Sequence, residues 1–264
     1  MIGERRWHRF TAAQRAVRSA VYVGAAVAFV AALRSIEIVP EFVRDTPAQV
    51  KDLFVRMWPV DWGFLLSTVI DAMLETVHIA SLGTLAALVI AFPLGVLTAS
   101  NVVARGWVRF IARFCLVASR SVNSLVWALF FVAVFGPGPL AGTIAITFRS
   151  IGFVGKLLGE AIEQASPGPI EAIEAAGAPW PSVFIKGIWP QIRPAFASIA
   201  LLRWDINVRE SAVLGLVGAG GIGLVLDSAI NVFHWREAAA VLVAIAVVVL
   251  AAEAVVTVLR KRIL

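Results

Sequence analysis

The segment Ile199-Ala200-Leu201-Leu202-Arg203-Trp204-Asp205-Ile206-Asn207-Val208-Arg209-Glu210-Ser211 sets four charges and an amide inside an otherwise apolar run. On a helix, Arg203, Asn207 and Glu210 stand at i, i+4 and i+7 and share one face, while Asp205 and Arg209, at i and i+4, can pair with each other. At membrane depth each charge costs about 2.5–3.5 kcal/mol on insertion scales, so four charges facing lipid approach roughly ten kcal/mol. They must therefore face protein or water. Two readings stay open at this point. One is an internal salt-bridge network that holds helices together. The other is a polar wall along the path of a solute, with guanidinium forks shaped for phosphate or phosphonate oxygens. In that second reading Asp205 and Glu210 compete with the solute for the arginines and keep the hold weak enough for passage. Arg120 and Arg149, in neighbouring apolar runs, add positive charge.

Other chemical signatures carry less. Gly218-Ala219-Gly220-Gly221-Ile222-Gly223 fits G-x-G-x-x-G to the letter. It follows an apolar helix rather than a buried strand, so a dinucleotide site does not fit its context. A backbone break where helices pack closely, or a hinge or gate, fits better. No G-x-x-x-x-G-K-[ST] occurs. His8, His78 and His234 are scattered without metal-ligand spacing. Cys115 is alone, so no internal disulfide forms, and it sits in an apolar run. No Ser/His/Asp arrangement stands out, so neither a catalytic residue nor a metal site is expected.

The elements that must position these residues follow from composition. The chain has 264 residues, 60% hydrophobic and only 15% charged, with mean hydropathy +0.88. Soluble domains run at roughly a quarter charged, so a soluble enzyme, a disordered chain and a secreted disulfide scaffold are poor fits. A membrane helix needs about 20 mostly apolar residues. Six stretches qualify: 17–33; about 77–99, preceded by a more mixed stretch 62–75; about 114–135; about 139–158; about 195–217; and 238–258. The first follows Arg5, Arg6 and Arg9 but precedes Arg34 and Glu37 without a convincing small-residue cleavage site, so it is read as a retained helix. The expected fold is an all-α polytopic membrane helix bundle, with residues 1–264 forming a single transmembrane domain.

Basic residues orient the bundle. With the N-terminus inside, Arg5, Arg6, Arg9, Arg15, Arg18, Arg105, Arg109, Arg113, Lys186, Arg193, Arg260, Lys261 and Arg262 fall on the cytoplasmic side. Arg34, Arg44, Lys51, Arg56 and Arg236 fall on the other. Thirteen against five places both termini in the cytoplasm. The net charge of +6 then needs no nucleic acid to explain it. Residues 34–61 are external, with Val50, Phe54 and Met57 at helical spacing, and are expected to lie on the membrane surface. Gly136-Pro137-Gly138-Pro139 reads as a tight external turn.

The cytoplasmic loop 160–194 is the informative one. Pro167-Gly168-Pro169-Ile170-Glu171-Ala172-Ile173-Glu174-Ala175-Ala176-Gly177-Ala178-Pro179-Trp180 opens with helix-start punctuation and closes near Gly177 and Pro179. Ile170, Ile173 and Gly177 fall on one side of a short helix, and Trp189-Pro190 reads as a turn. This loop resembles that of permease subunits of ATP-binding-cassette importers, whose pattern is E-A-A, three residues, G, nine residues, I-x-L-P. Glu171, Ala172, Gly177 and Pro190 stand at the family's spacing. Ile173 replaces the second alanine, Gly187 the isoleucine and Trp189 the leucine. Further on, the helix holding Arg203, Asn207 and Arg209, followed by the glycine run, is similar to the phosphonate and phosphite branch. That closer likeness covers about residues 166–223.

The resemblance implies a type I importer permease fold in the bacterial inner membrane. Its cargo is a phosphonate or related phosphorus oxyanion, moved by alternating access without covalent chemistry in this chain. It implies a second permease chain, a homodimer in the simplest case, a pair of cytoplasmic ATPase subunits holding ATP and Mg, and an external solute-binding protein. Glu171, Ala172, Ile173 and Gly177 would dock on the ATPase, with Pro190 shaping the entry to the next span. Arg203, Asp205, Asn207, Arg209 and Glu210 would line the cargo path. Gly218, Gly220, Gly221 and Gly223 would allow close packing and a hinge near an external gate. A permease for another solute such as methionine, and a stand-alone channel or carrier, are the alternatives.

Overall fold

The computed structural model describes residues 10–35 and 40–263. The expectations resting on Arg5, Arg6, His8, Arg9 and Glu37 lie outside the described residues. The chain divides into two compact units, residues 1–54 and 55–264. The first holds α1 (Ala12–Ser35), whose Val17, Val21, Tyr22, Val27 and Phe29 are all exposed, as an apolar-all-round helix built for lipid would be. Helix α2 (Pro40–Met57) covers the amphipathic stretch and includes Val50, Phe54 and Met57.

In the second unit, α3 (Trp62–Phe64) runs through a π-helical turn at Leu65–Val69 into α4 (Ile70–Thr98). Asp61 caps its start, accepting from the Phe64 amide at 3.0 Å. The result is a continuous span of 37 residues, about 55 Å long and well beyond a bilayer core of about 30 Å. The mixed stretch expected to precede the second span is therefore helical and part of it.

Helix α5 (Gly106–Ser121) and helix α6 (Ser124–Phe135) replace the continuous third span of the sequence reading. They meet at an angle of 87°. The break sits at Val122-Asn123, both in extended conformation, and Asn123 Oδ1 caps α6 by accepting from the Leu125 amide at 3.0 Å. A polar run, Ser119-Arg120-Ser121, precedes the break and is its signal in the sequence.

The remaining elements are α7 (Pro139–Glu163), α8 (Pro167–Ala175), α9 (Trp180–Val183), a π turn at Phe184–Ile188, α10 (Trp189–Leu214), a 3-10 turn at Gly215–Val217, α11 (Ile222–Asn231) and α12 (Trp235–Ile263). Trp189-Pro190 is not a turn: the π turn runs straight into α10, with Pro190 as its second residue. Among the described residues, five helical stretches are long and apolar enough to cross a membrane, six with α5 and α6 counted as one bent crossing.

Contacts fix the relative directions. Gly83 lies against Ile146, Gly95 against Gly155 and Leu158, and Thr98 against Gly159. Partner numbers rise together, so α4 and α7 run parallel. The chain between them must return across the bundle, which is the job of α5 and α6. Helix α10 runs the other way: Thr76 meets Ser211 and Thr84 meets Asn207. Small residues at these seams let backbones approach, the packing mode that replaces the hydrophobic drive within lipid.

Candidate functional site

The polar face of α10 is packed against α4 and α7. Arg203 is 2% exposed and Asn207 fully buried. Arg203 Nε donates to Ser150 Oγ at 2.8 Å, and its Nη2 reaches Glu210 Oε2 at 3.2 Å. Its guanidinium lies 5.4 Å from the Phe153 ring centroid. Asn207 Nδ2 donates to Thr84 Oγ1 at 2.7 Å and to Ser150 Oγ at 3.1 Å. Arg149 Nε stands 3.6 Å from Glu210 Oε1. Glu210 is thus held between two guanidinium groups, one buried behind it and one beside it. The i, i+4, i+7 face expected from the sequence is present. Ser150, Thr84 and Phe153 complete it from other helices, which the spacing on α10 alone does not reveal.

Asp205 and Arg209 form the expected i, i+4 pair through Asp205 Oδ2. Asp205 Oδ1 is buried and has no hydrogen-bond partner among the described residues. The Arg209 side chain is half exposed. A cavity of about 330 Å³ opens here, bordered by Asn123 and Ser124 at the α5–α6 bend, by Arg149, Arg209 and Glu210, and by Leu125, Val213 and Leu214. The five residues of α10 expected to line the path therefore separate. Arg203, Asp205 and Asn207 are enclosed; Arg209 and Glu210 border open space. Arg149 joins them from α7. Two cations and one carboxylate around this cavity make a net positive, hydrogen-bond-donating surface suited to an oxyanion.

The glycine run is a folded loop tied to α4 and to the turn before α7. The Gly221 amide donates to Glu75 Oε1 at 3.1 Å, the Ile222 amide to Thr76 Oγ1 at 2.8 Å, and the Gly138 amide to the Gly218 carbonyl at 2.8 Å. Gly221 adopts φ +70°, and a Cβ there would lie 2.6 Å from Thr76 Oγ1, so both backbone and space demand glycine. A Cβ on Gly220 would lie 2.8 Å from Glu75 Oε1, and one on Gly223 2.1 Å from the Ala212 carbonyl oxygen; Gly218 is left-handed, next to Pro137. The close-packing expectation fits this geometry. Glu75 and Thr76, the anchors, went unnoticed in the sequence because nothing local links residues 75 and 221.

At the opposite end of the bundle, α8 projects Glu171 and Ala172 outward, both exposed, while Ile173 is partly buried. Gly177, at φ +73°, closes α8: its amide bonds the Glu174 carbonyl at 2.9 Å. A Cβ on Gly187 would lie 3.4 Å from Ile173 Cδ1 and 3.5 Å from Ile170 Cα. Gln191 ties α10 to the start of α8 through the Ser166 amide at 2.9 Å.

Residues 91–264 match the family described as binding-protein-dependent transport system inner membrane component. The chain is 37% identical over 201 residues to the phosphate-import permease protein PhnE of Mycolicibacterium smegmatis, covering 76% of this chain but only 38% of that protein. It is 38% identical over 192 residues to the phosphite transport system permease protein PtxC of Stutzerimonas stutzeri, covering 73% of this chain and 70% of the relative. Among solved structures, an inward-facing MetNI methionine ABC transporter chain superposes with TM-score 0.64 at 22% identity, over 74% of this chain and 96% of that one. With five to six membrane-length helices among the described residues, the family match settles the class: this chain belongs to the binding-protein-dependent transport system inner membrane components, the transmembrane permeases of ABC importers.

Proposed function

We propose that this permease carries a small phosphorus oxyanion, a phosphonate, phosphite or phosphate, and that the cavity beside Arg149, Arg209 and Glu210 is where the anion is held in mid-passage. The observation that carries this reading is the split within the α10 polar cluster. The enclosed Arg203 and Asn207 are held by Ser150, Thr84 and Glu210, whereas Arg209 and Arg149 keep part of their guanidinium surface open to a cavity. Arg203 and Asn207 act from behind, setting the position of Glu210. The names of the phosphite and phosphate relatives support the cargo class.

The rest of the machine follows from the family. Two permease chains pair, and two cytoplasmic ATPase subunits hold ATP and Mg. An external binding protein delivers the anion at the end where the glycine loop lies. The exposed face of α8 around Glu171 and Ala172 meets the ATPase, Ile173 and Gly177 hold its shape, and the whole chain acts as one permease domain. The loop of Gly218, Gly220, Gly221 and Gly223 serves as the outer hinge.

The test is uptake of labelled phosphite, phosphate and methylphosphonate by the complete transporter in vesicles. Arg149→Gln and Arg209→Gln should each raise the half-saturating cargo concentration at least ten-fold. Unchanged uptake in both variants would remove the cavity from the path.

A further inference from the structure

A second cavity of about 330 Å³ lies between α5 and α7, nearer the end of the bundle where Thr98 and Glu163 meet. Arg113, Arg120 and Lys156 border it. On α5, Arg109, Arg113 and Arg120 stand at i, i+4 and i+11 and share a face; on α7, Arg149 and Lys156 are seven apart and do the same. The two faces adjoin because the helices touch. A Cβ on Gly152 would lie 2.4 Å from the Leu116 carbonyl oxygen and 3.0 Å from Arg120 Cβ, and the Gly152 amide donates to Ser119 Oγ at 3.2 Å. Arg120 is therefore next to the α7 turn that follows Arg149, and three residues before Asn123, which borders the first cavity.

The charges are not equally matched. Arg113 pairs with Glu163 at 3.0 Å and Lys156 with Glu160 at 3.4 Å. Arg120 is exposed and makes neither an ion pair nor a hydrogen bond among the described residues. It lies about 21 Å along α5 from Gly106, deep in a membrane-crossing segment, where a lipid-facing guanidinium is costly. A face carrying such a group opens to water. The unmatched cation borders the cavity that holds a further arginine and a lysine, on the side toward Asn123 and the cavity with two arginines.

We propose that Arg120 is the middle step of a cation ladder, running from Arg149 and Arg209 through Arg120 to Lys156 and Arg113, by which the oxyanion leaves the mid-bundle cavity for the cytoplasm. The proposal rests on the oxyanion reading above. Glu160 and Glu163 hold the last two cations as Glu210 and Asp205 hold the first two, so each paired rung keeps its grip on the cargo weak, and Arg120 links them without an acid partner among the described residues. The same chemistry would suit the phosphate of a lipid headgroup, and the experiment separates the two.

The complete transporter, with ATPase and binding protein, is reconstituted in vesicles of phosphatidylcholine alone and with phosphatidylglycerol added, and ATP-driven uptake of inorganic phosphite is measured. Arg120→Gln should lower the maximal rate at least ten-fold in both lipids, and Arg120→Lys should recover most of it. A second measurement does not depend on turnover. In the assembled Cys115→Ser protein, the thiol introduced by Val117→Cys should react faster with an anionic methanethiosulfonate than with a cationic one, and adding Arg120→Gln should erase that preference. Wild-type rates in Arg120→Gln, or a loss seen only with phosphatidylglycerol, would overturn the exit route and leave the cargo assignment standing. A wild-type transporter that moves neither phosphite, phosphate nor methylphosphonate would overturn both.

Discussion

Asn207 has no charge, yet it is the most enclosed polar side chain of α10. Its amide ties α10 to α4 through Thr84 and to α7 through Ser150, the same hydroxyl that receives Arg203. One serine thus fixes the position of the buried cation and of the amide together. Within a bundle, such interhelical hydrogen bonds are worth about 0.6 kcal/mol on average and about 1.7 at most. Asn207→Ala should therefore lower stability by about 1 kcal/mol, and Ser150→Ala by a similar amount. The double variant should lose less than the sum, because the two groups share a bond. Thermal unfolding in detergent measures this; full additivity would mean that the network is not a unit. Part of this cluster was legible in the sequence. The Asp205–Arg209 and Arg203–Glu210 pairs follow from helical period alone. Arg149 was visible as an in-membrane charge but not as the second partner of Glu210, because that contact depends on how α7 is placed against α10.

At the scale of elements, the seam between α8 and the π turn shows two departures from the family pattern that touch each other. Ile173 stands where the pattern has alanine, and Gly187 where it has isoleucine. Ile173 Cδ1 would lie 3.4 Å from a Cβ on Gly187. The bulk missing from the π turn is supplied by α8, so the knob keeps its seat with the large and small residues exchanged. Gly187→Ile should cost about 1–3 kcal/mol by overpacking and loosen α8, read as faster proteolysis between residues 164 and 190. Ile173→Ala in the same chain should restore protection, and independent effects would mean that the two positions do not form one contact. The α5–α6 bend marks the limit of hydropathy as a guide. Residues 114–135 score as one crossing because their apolar content is continuous. The 87° break follows from local hydrogen bonding by Asn123, which an average over 20 residues hides.

Across residues 55–264, charge is sorted along the bundle axis. Arg113 sits beside Thr98 and Glu163, Lys186 and Arg193 stand at the start of α10, and Arg262 shares a cavity with Pro190, Arg193, Pro194 and Ala197. At the other end Asp61 meets the Arg236 carbonyl, and the Gly136–Gly138 turn meets Gly218. We propose, from the bias of basic residues toward the cytoplasm, that the first end is inside. This sorting was legible from loop composition, since it needs only the order of spans. Whether the bent α5–α6 pair crosses the membrane was not. The parallel seam of α4 and α7 requires a return between them, so Ser100 and Pro137 must lie on opposite sides. In a Cys115→Ser background, the thiol introduced by Pro137→Cys should be labelled on intact cells by an impermeant maleimide. That introduced by Ser100→Cys should be labelled only after the membrane is opened. Both sites are exposed in this structure, so neither depends on unfolding. Labelling of both from outside would make α5 and α6 a re-entrant hairpin; the reverse pattern would invert the bundle and put α8 out of reach of any cytoplasmic motor.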